Sequence, residues 1–228
     1  MRICDVVKNS VWYDPRVKKQ IASYLEDGHD LICVGVTDPR YDQKEVDKVP
    51  CPVDLVHIDA VYYGAKRTIF TKITRERKTN QGIYKKILQA KPDIIHANDL
   101  NALIPAFKAS RKLKCPIIYD THEIFLENPW IANNPVVKFI WGFYEKFMIK
   151  KVDLVVAVSH AAAEYLQKKY KIIKPTVVTN CISAKNHITE AVEKAEHKQI
   201  LNHGQFYGGR GYDIMITYIL RLRLRWRS

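Results

Sequence analysis

Two short apolar runs end in residues that could do chemistry. His96 and Asp99 close the first, and Asp120, Thr121, His122 and Glu123 close the second. Imidazole, carboxyl and hydroxyl groups bind and orient polar ligands, and histidine changes its charge near neutral pH. Such groups matter together only if the two runs end side by side. The elements around them must therefore be read first.

Residues 93–97, opened by Pro92, read as a buried strand. Asn98-Asp99 suits a strand end and a helix cap. From 100 to 113, Leu103, Ala106, Phe107 and Ala109 fall at helical spacing. Lys108, Arg111, Lys112 and Lys114 lie toward the end, where the helix dipole favours cations. Pro116 stops the helix, and residues 117–119 form a second strand. Strand, helix, strand is the parallel crossover unit, and open parallel sheets bind ligands beyond the carboxyl ends of their strands. The two polar clusters are thus predicted at one edge.

The pattern repeats along the chain. Residues 2–7 read as a strand. Asp14 is placed to cap a helix that Pro15 opens, with Val17, Ile21, Tyr24 and Leu25 on its apolar face. Asp27-Gly28-His29 ends it before a strand at 31–36. Loop 9–14 contains no glycine, which excludes a GxGxxG dinucleotide turn there. Residues 53–58 predict a third strand, 62–78 a basic loop or frayed helix, and 83–88 a helix. A long helix is expected over 133–150. Its stripe of Val137, Ile140, Trp141, Tyr144, Phe147 and Met148 reads as core. A strand at 153–158, a helix capped by Ser159 and running to Tyr170, and a short strand at 176–179 follow. The class is α/β with a mostly parallel sheet and helices on both faces.

Composition narrows the setting. The 228 residues are 47% hydrophobic, enough for a sizeable core. Five cysteines form no CxxC pair and read as reduced thiols of a cytosolic protein. The opening MRICDVV carries Asp5 in a very short apolar run, unlike a signal peptide, and no stretch is apolar enough to span a bilayer. The net charge of +13 is concentrated: residues 66–91 carry +8, and Arg221, Arg223, Arg225 and Arg227 carry +4. The basic run lacks helix-turn-helix, zinc or aromatic RNA-binding patterns, so no nucleic acid is expected. A solvated face or an anionic membrane surface remains open.

Residues 186–197 read as a linker helix and 199–203 as a new strand. Gly204, Gly208, Gly209 and Gly211 then form a glycine-rich turn beside Arg210, at the start of a helix. Spacing alone leaves open a phosphate-binding turn or an ordinary strand-to-helix turn. After Ile216 the helical pattern gives way to the alternation RLRLRWR, which reads as a frameshifted end.

Four stretches, taken in order, resemble the retaining family-4 glycosyltransferases of the GT-B fold. They are WYDPRVKKQIASYLEDGHDLICVG, DIIHANDLNALIPAF with IIYDTHEIF, EKFMIKKVDLVVAVS, and ILNHGQFYGGRGYDIMI. The resemblance implies an N-terminal acceptor-side Rossmann-like domain over 1–180 and a linker over 181–197. The start of an incomplete donor-binding Rossmann-like domain would follow over 198–228. It implies transfer of a sugar from a nucleotide-sugar, as substrate, to a glycan or lipid-linked acceptor, with retention and without a metal or other cofactor. A cytoplasmic setting is implied, peripheral on the inner face of the membrane, in envelope polysaccharide synthesis. By the same resemblance His122 contacts the donor sugar near the reacting centre. Arg210 neutralises the diphosphate among Gly204, Gln205, Gly209 and Gly211. Gln205 departs from the family, which has a cation there; Gln donates hydrogen bonds but carries no charge. Asp14, Arg16, Asp99 and Glu123 fall on the acceptor side, Glu123 as a loop anchor. The carboxylate pair that holds ribose and sugar in the family has no counterpart here. The chain is therefore expected to be inactive alone and to bind no nucleotide-sugar tightly. A non-catalytic acceptor- or membrane-binding module is the alternative.

Overall fold

The computed structural model describes residues 1–9, 11–12, 14–37, 47–57, 69–181 and 211–225. The chain divides into two compact units, Met1–Cys181 and Ile182–Ser228. In the first unit the strands are β1 (Arg2–Val6), β2 (Asp30–Val36), β3 (Val53–Val56), β4 (Ile94–Asn98), β5 (Ile117–Thr121), β6 (Leu154–Ala157) and β7 (Thr176–Val177). They form one sheet in the order β3-β2-β1-β4-β5-β6-β7, and every pairing is parallel. The order reverses beside β1, which is the Rossmann-like switch point.

The helices are α1 (Pro15–Glu26), α2 (Ile69–Ala90), α3 (Asp99–Leu113), the short α4 (Pro129–Ala132), α5 (Pro135–Met148) and α6 (His160–Tyr170). Asp14 caps α1 as its sequence predicts: its carboxylate accepts from the backbone N–H of Arg16 and Val17. Strand alternation sends Cys4, Val6, Val34, Ile95, Ala97, Ile117 and Tyr119 into the larger core, under α2, α3, α5 and α6. Ile3, Val7, Leu31 and Cys33 face the opposite way, into a smaller core with Val17 and Ile21 of α1.

Two expectations change. The basic segment read as a loop or frayed helix is, from Ile69 onward, part of the 22-residue helix α2. Thr79, Ile83 and Ile87 bury one face of it, and ion pairs from Lys8 to Glu76 (2.5 Å) and from Lys86 to Asp54 (3.1 Å) tie its flanks to the sheet. The tertiary contacts give the polar half of that helix its partners. The second change is in α5. Met148 is buried and Val137 and Trp141 pack on the core, but Ile140, Tyr144 and Phe147 are exposed.

In the second unit the described residues form α7 (Tyr212–Arg225), preceded by Gly211 at φ +71°. Residues 221–225, read from their alternation as a departure from helix, continue it. Leu and Arg are strong helix formers, and that preference outweighs a two-residue period over so short a run. The expected strand 199–203 and Gly204, Gln205, Gly209 and Arg210 lie outside the described residues.

Candidate active site

The polar groups at the switch point arise from strand parity. Asp5 of β1, His96 and Asn98 of β4 and Asp120 of β5 occupy the strand positions that alternate with the larger core. Asp5 pairs in register with His96, and Asn98 with Asp120. All four are buried. Helix α1 answers them with Arg16, Gln20 and Tyr24, at i, i+4 and i+8 on one helical stripe.

Arg16 is 5% exposed and grips Asp120 with two parallel hydrogen bonds, Nε to Oδ2 at 2.8 Å and Nη2 to Oδ1 at 2.7 Å. Its Nη1 donates to the backbone oxygen of Val178, just beyond β7, at 2.8 Å. Gln20 Nε2 donates to Asp120 Oδ2 at 2.5 Å. Tyr24 Oη lies 2.6 Å from His96 Nδ1. Burial pushes the Asp120 carboxyl up, but His96, whose Nε2 lies 3.6 Å from Oδ2, and the paired Arg16 guanidinium outweigh it and hold Asp120 below the usual carboxylate range.

His122 sits one step past β5, half-buried. Asn98 Nδ2 donates to Asp5 Oδ1 at 2.5 Å and to Val6 O at 3.2 Å, so the Asn98 side-chain oxygen is the acceptor that faces His122 Nε2 at 3.0 Å. Nε2 therefore carries a proton, and Nδ1 is the ring atom left for a ligand or a second proton. Asp99 Oδ2 and Asp14 Oδ2 stand 3.6 and 3.8 Å from Nδ1. Asp99 also accepts from the backbone N–H of His122 at 2.9 Å. It does so from φ +65°, a left-handed position that Asp tolerates better than most residues. Burial raises the Asp5 carboxyl to about 6 against the pull of His96 and Asn98. Burial likewise raises Asp99 to about 6 against the pull of His122. An imidazole backed by an amide and flanked by two carboxyl groups can hold a polar ligand through Nδ1.

Of the sequence-predicted residues, His122, Asp14 and Asp99 are brought together. Arg16 is adjacent but buried in its pair with Asp120. Glu123 is exposed, accepts from Asn128 Nδ2 at 2.9 Å, and its backbone oxygen accepts from the Thr121 hydroxyl. Gly211 belongs to the second unit. Sequence reasoning missed Gln20, Tyr24 and the structural role of Asp5. A lone carboxylate inside the apolar run RICDVV was the available signal.

The missing glycine of loop 9–14 also has a structural answer. Gly35 on β2 lies so close under the loop that a Cβ there would meet Val11 Cγ2 at 2.6 Å and Asn9 O at 2.8 Å. The close backbone approach is supplied by the neighbouring strand.

The sequence profile of Glycosyltransferase Family 4 matches residues 17–185, most of the chain and all but the first strand of this sheet. The chain belongs to glycosyltransferase family 4. It is 21% identical over 216 residues to an uncharacterized 42.6 kDa protein in the cps region of Klebsiella pneumoniae, covering 84% of this chain and 56% of that protein. Among solved structures, HepE of Anabaena, crystallised with UDP-glucose, superposes with a TM-score of 0.53 at 16% identity, covering 80% of this chain and 44% of HepE. Sucrose-phosphate synthase of Thermosynechococcus elongatus superposes with a TM-score of 0.57 at 10% identity, covering 78% of this chain and 48% of the synthase. The first unit of this family-4 chain thus has the Rossmann-like GT-B architecture, and the chain spans about half the length of the proteins it matches.

Proposed function

We propose that the protein acts in transfer of a sugar from a nucleotide-sugar donor to a glycan or lipid-linked acceptor, with retention of configuration and without a metal cofactor. Family membership supports glycosyl transfer. The observation that carries the site is the fixing of His122 by Asn98 and Asp99 at the carboxyl end of β5, beside the sheet's switch point. In this reading His122 hydrogen-bonds the donor sugar near the reacting carbon, and Asp14, Asp99 and Glu123 border the acceptor. Arg16 holds that border in place through Asp120. Gly204, Gln205, Gly209, Arg210 and Gly211 form the donor diphosphate turn, with Arg210 supplying the positive charge. The bound HepE structure lends this donor class its support. Among the described residues no helix is long and apolar enough to cross a membrane. In this reading a lipid-linked acceptor is met from the cytoplasmic surface, in envelope polysaccharide synthesis.

The chain by itself is expected to bind no nucleotide-sugar tightly, which calorimetry against UDP-, GDP- and ADP-sugars checks; the test of transfer is product analysis with lipid-linked and free glycan acceptors, made on a version with a complete C-terminal donor-binding domain. Donor-dependent product whose anomeric configuration matches the donor supports the reading, and His122→Ala should lower its rate about a hundredfold. Inverted product, or turnover unchanged in His122→Ala, overturns it.

A further inference from the structure

All five cysteines carry free thiols, and two of these thiols meet. Cys33 lies on β2 and Cys51 on the approach to β3, with their sulfur atoms 3.5 Å apart. The backbone sets the meeting. Cys33 pairs in register with Val53, and its N–H donates to the Pro52 oxygen at 2.9 Å. Both side chains pack on the smaller core. The other three cysteines lie elsewhere. Cys4 and Cys115 pack on the larger core, across the sheet, and Cys181 is exposed beyond β7.

The two thiols of the pair are unequal. Cys33 is buried, and Cys51 is only partly so. A reagent from solvent therefore meets Cys51 first. The hydrogen bond from the Cys33 S–H pulls the Cys51 thiol below its usual value, against burial. Donating that bond, together with burial, pushes Cys33 up. The thiolate is the reactive form, so accessibility and ionisation both make Cys51 the attacking sulfur. Cys33 stands behind it as the resolving one. A disulfide needs the sulfurs to close by about 1.5 Å, which small side-chain rotations supply. The bond would join positions 18 apart in sequence and tie β3, at the end of the described sheet, to β2. Gly35, farther along β2, lies under loop 9–14, so the tie falls on the strand that carries that loop.

We propose that Cys51 and Cys33 form an oxidation site, at which a peroxide closes a reversible disulfide that clamps β3 to β2. The Cys51 thiolate attacks one oxygen of hydrogen peroxide. The O–O bond breaks, Cys51 becomes a sulfenic acid, and the departing hydroxide takes up a proton to give water. The Cys33 sulfur then attacks the Cys51 sulfur. The S–O bond breaks, and the hydroxyl leaves with the Cys33 proton as a second water. Two thiols are oxidised to one disulfide, and one peroxide is reduced to two waters. A small-molecule thiol reopens the bond by exchange.

The experiment treats the reduced full chain with hydrogen peroxide in small excess, blocks the remaining thiols with iodoacetamide, and maps the tryptic digest by mass. The expected result is a link between the peptides that carry Cys33 and Cys51, within one chain and two hydrogen atoms lighter than the separate pair. Dithiothreitol should restore both thiols. Cys33→Ala should leave Cys51 as a sulfenic acid that dimedone traps. Cys51→Ser should slow oxidation of Cys33 about tenfold. Hydrogen exchange at residues 53–56 should slow when the wild-type chain is oxidised. The link is read in the wild type, so the result does not depend on either variant folding. Peptides left unlinked, a link from either residue to Cys4, Cys115 or Cys181, or undiminished oxidation of Cys33 in Cys51→Ser would overturn the proposal. Unchanged exchange at 53–56 in the linked chain would overturn the clamp. No readout involves sugar transfer, so failure here and failure of the transferase reading are told apart.

Discussion

The side-chain oxygen of Asn98 accepts a hydrogen bond from Nε2 of His122 across 3.0 Å. The same amide donates to Asp5 and to the backbone of Val6, so its orientation is set from below by the sheet. A strand-buried amide therefore fixes which nitrogen of a largely buried histidine is engaged by the sheet and which faces Asp14 and Asp99. Asn98→Ala should remove that choice and leave the Asp5 carboxyl without its donor. Denaturant titration should show a loss of about 1–3 kcal/mol. Nitrogen-15 spectra of His122 should change from one tautomer to a mixture, and an unchanged spectrum would refute the assignment.

The two raised carboxyls give a pH dependence of definite sign. Asp5 and Asp99 sit at about 6 in the folded chain, above an unfolded value near 4. The folded state then binds more protons than the unfolded state between those limits, so stability falls as pH rises from about 4 to about 6.5. Asp5→Asn should flatten this slope, removing about 2 kcal/mol of it. Asp120 acts oppositely and lower. Its folded value is depressed, so the stability it contributes is present above the unfolded value and is lost as pH falls below about 4. Unfolding free energies measured from pH 3 to 8 check both signs.

Arg16 should be among the most sensitive positions of the first unit. Arg16→Ala leaves Asp120 buried and without its main partner, which costs about 3–5 kcal/mol. Arg16→Lys keeps the charge but loses the forked geometry, and should recover only part of the loss. The variant also frees the oxygen of Val178, so hydrogen exchange at residues 178–181 should quicken beyond what the same destabilisation causes elsewhere in the sheet.

Gly35→Ala tests the approach of loop 9–14 to β2. The added methyl meets backbone as well as a side chain, so the loop must move; the expected cost is about 1–3 kcal/mol. Gly28→Ala meets nothing within 4 Å and is strained only by its φ of +71°, for a smaller cost of about 1 kcal/mol. Similar losses in the two variants would show that the loop yields without resistance.

What the sequence by itself determined is local and periodic. Short apolar runs bounded by Pro, Gly and Asp placed the strands to within a few residues, because burial on both faces of a parallel strand leaves that mark. Asp14 and Pro15 placed the start of α1, and the crossover order implied a parallel sheet with His122 at the carboxyl edge of its strands. The tertiary structure decided everything that depends on parity and on partners. That Asp5, His96, Asn98 and Asp120 share one face, and that Arg16, Gln20 and Tyr24 descend on it, required the register of three strands that are far apart in sequence. The apolar residues of α5 illustrate the same limit. Hydrophobic spacing shows that a helix has an apolar side, but a helix with two such sides has one core to bury them in, and only packing decides which side faces out.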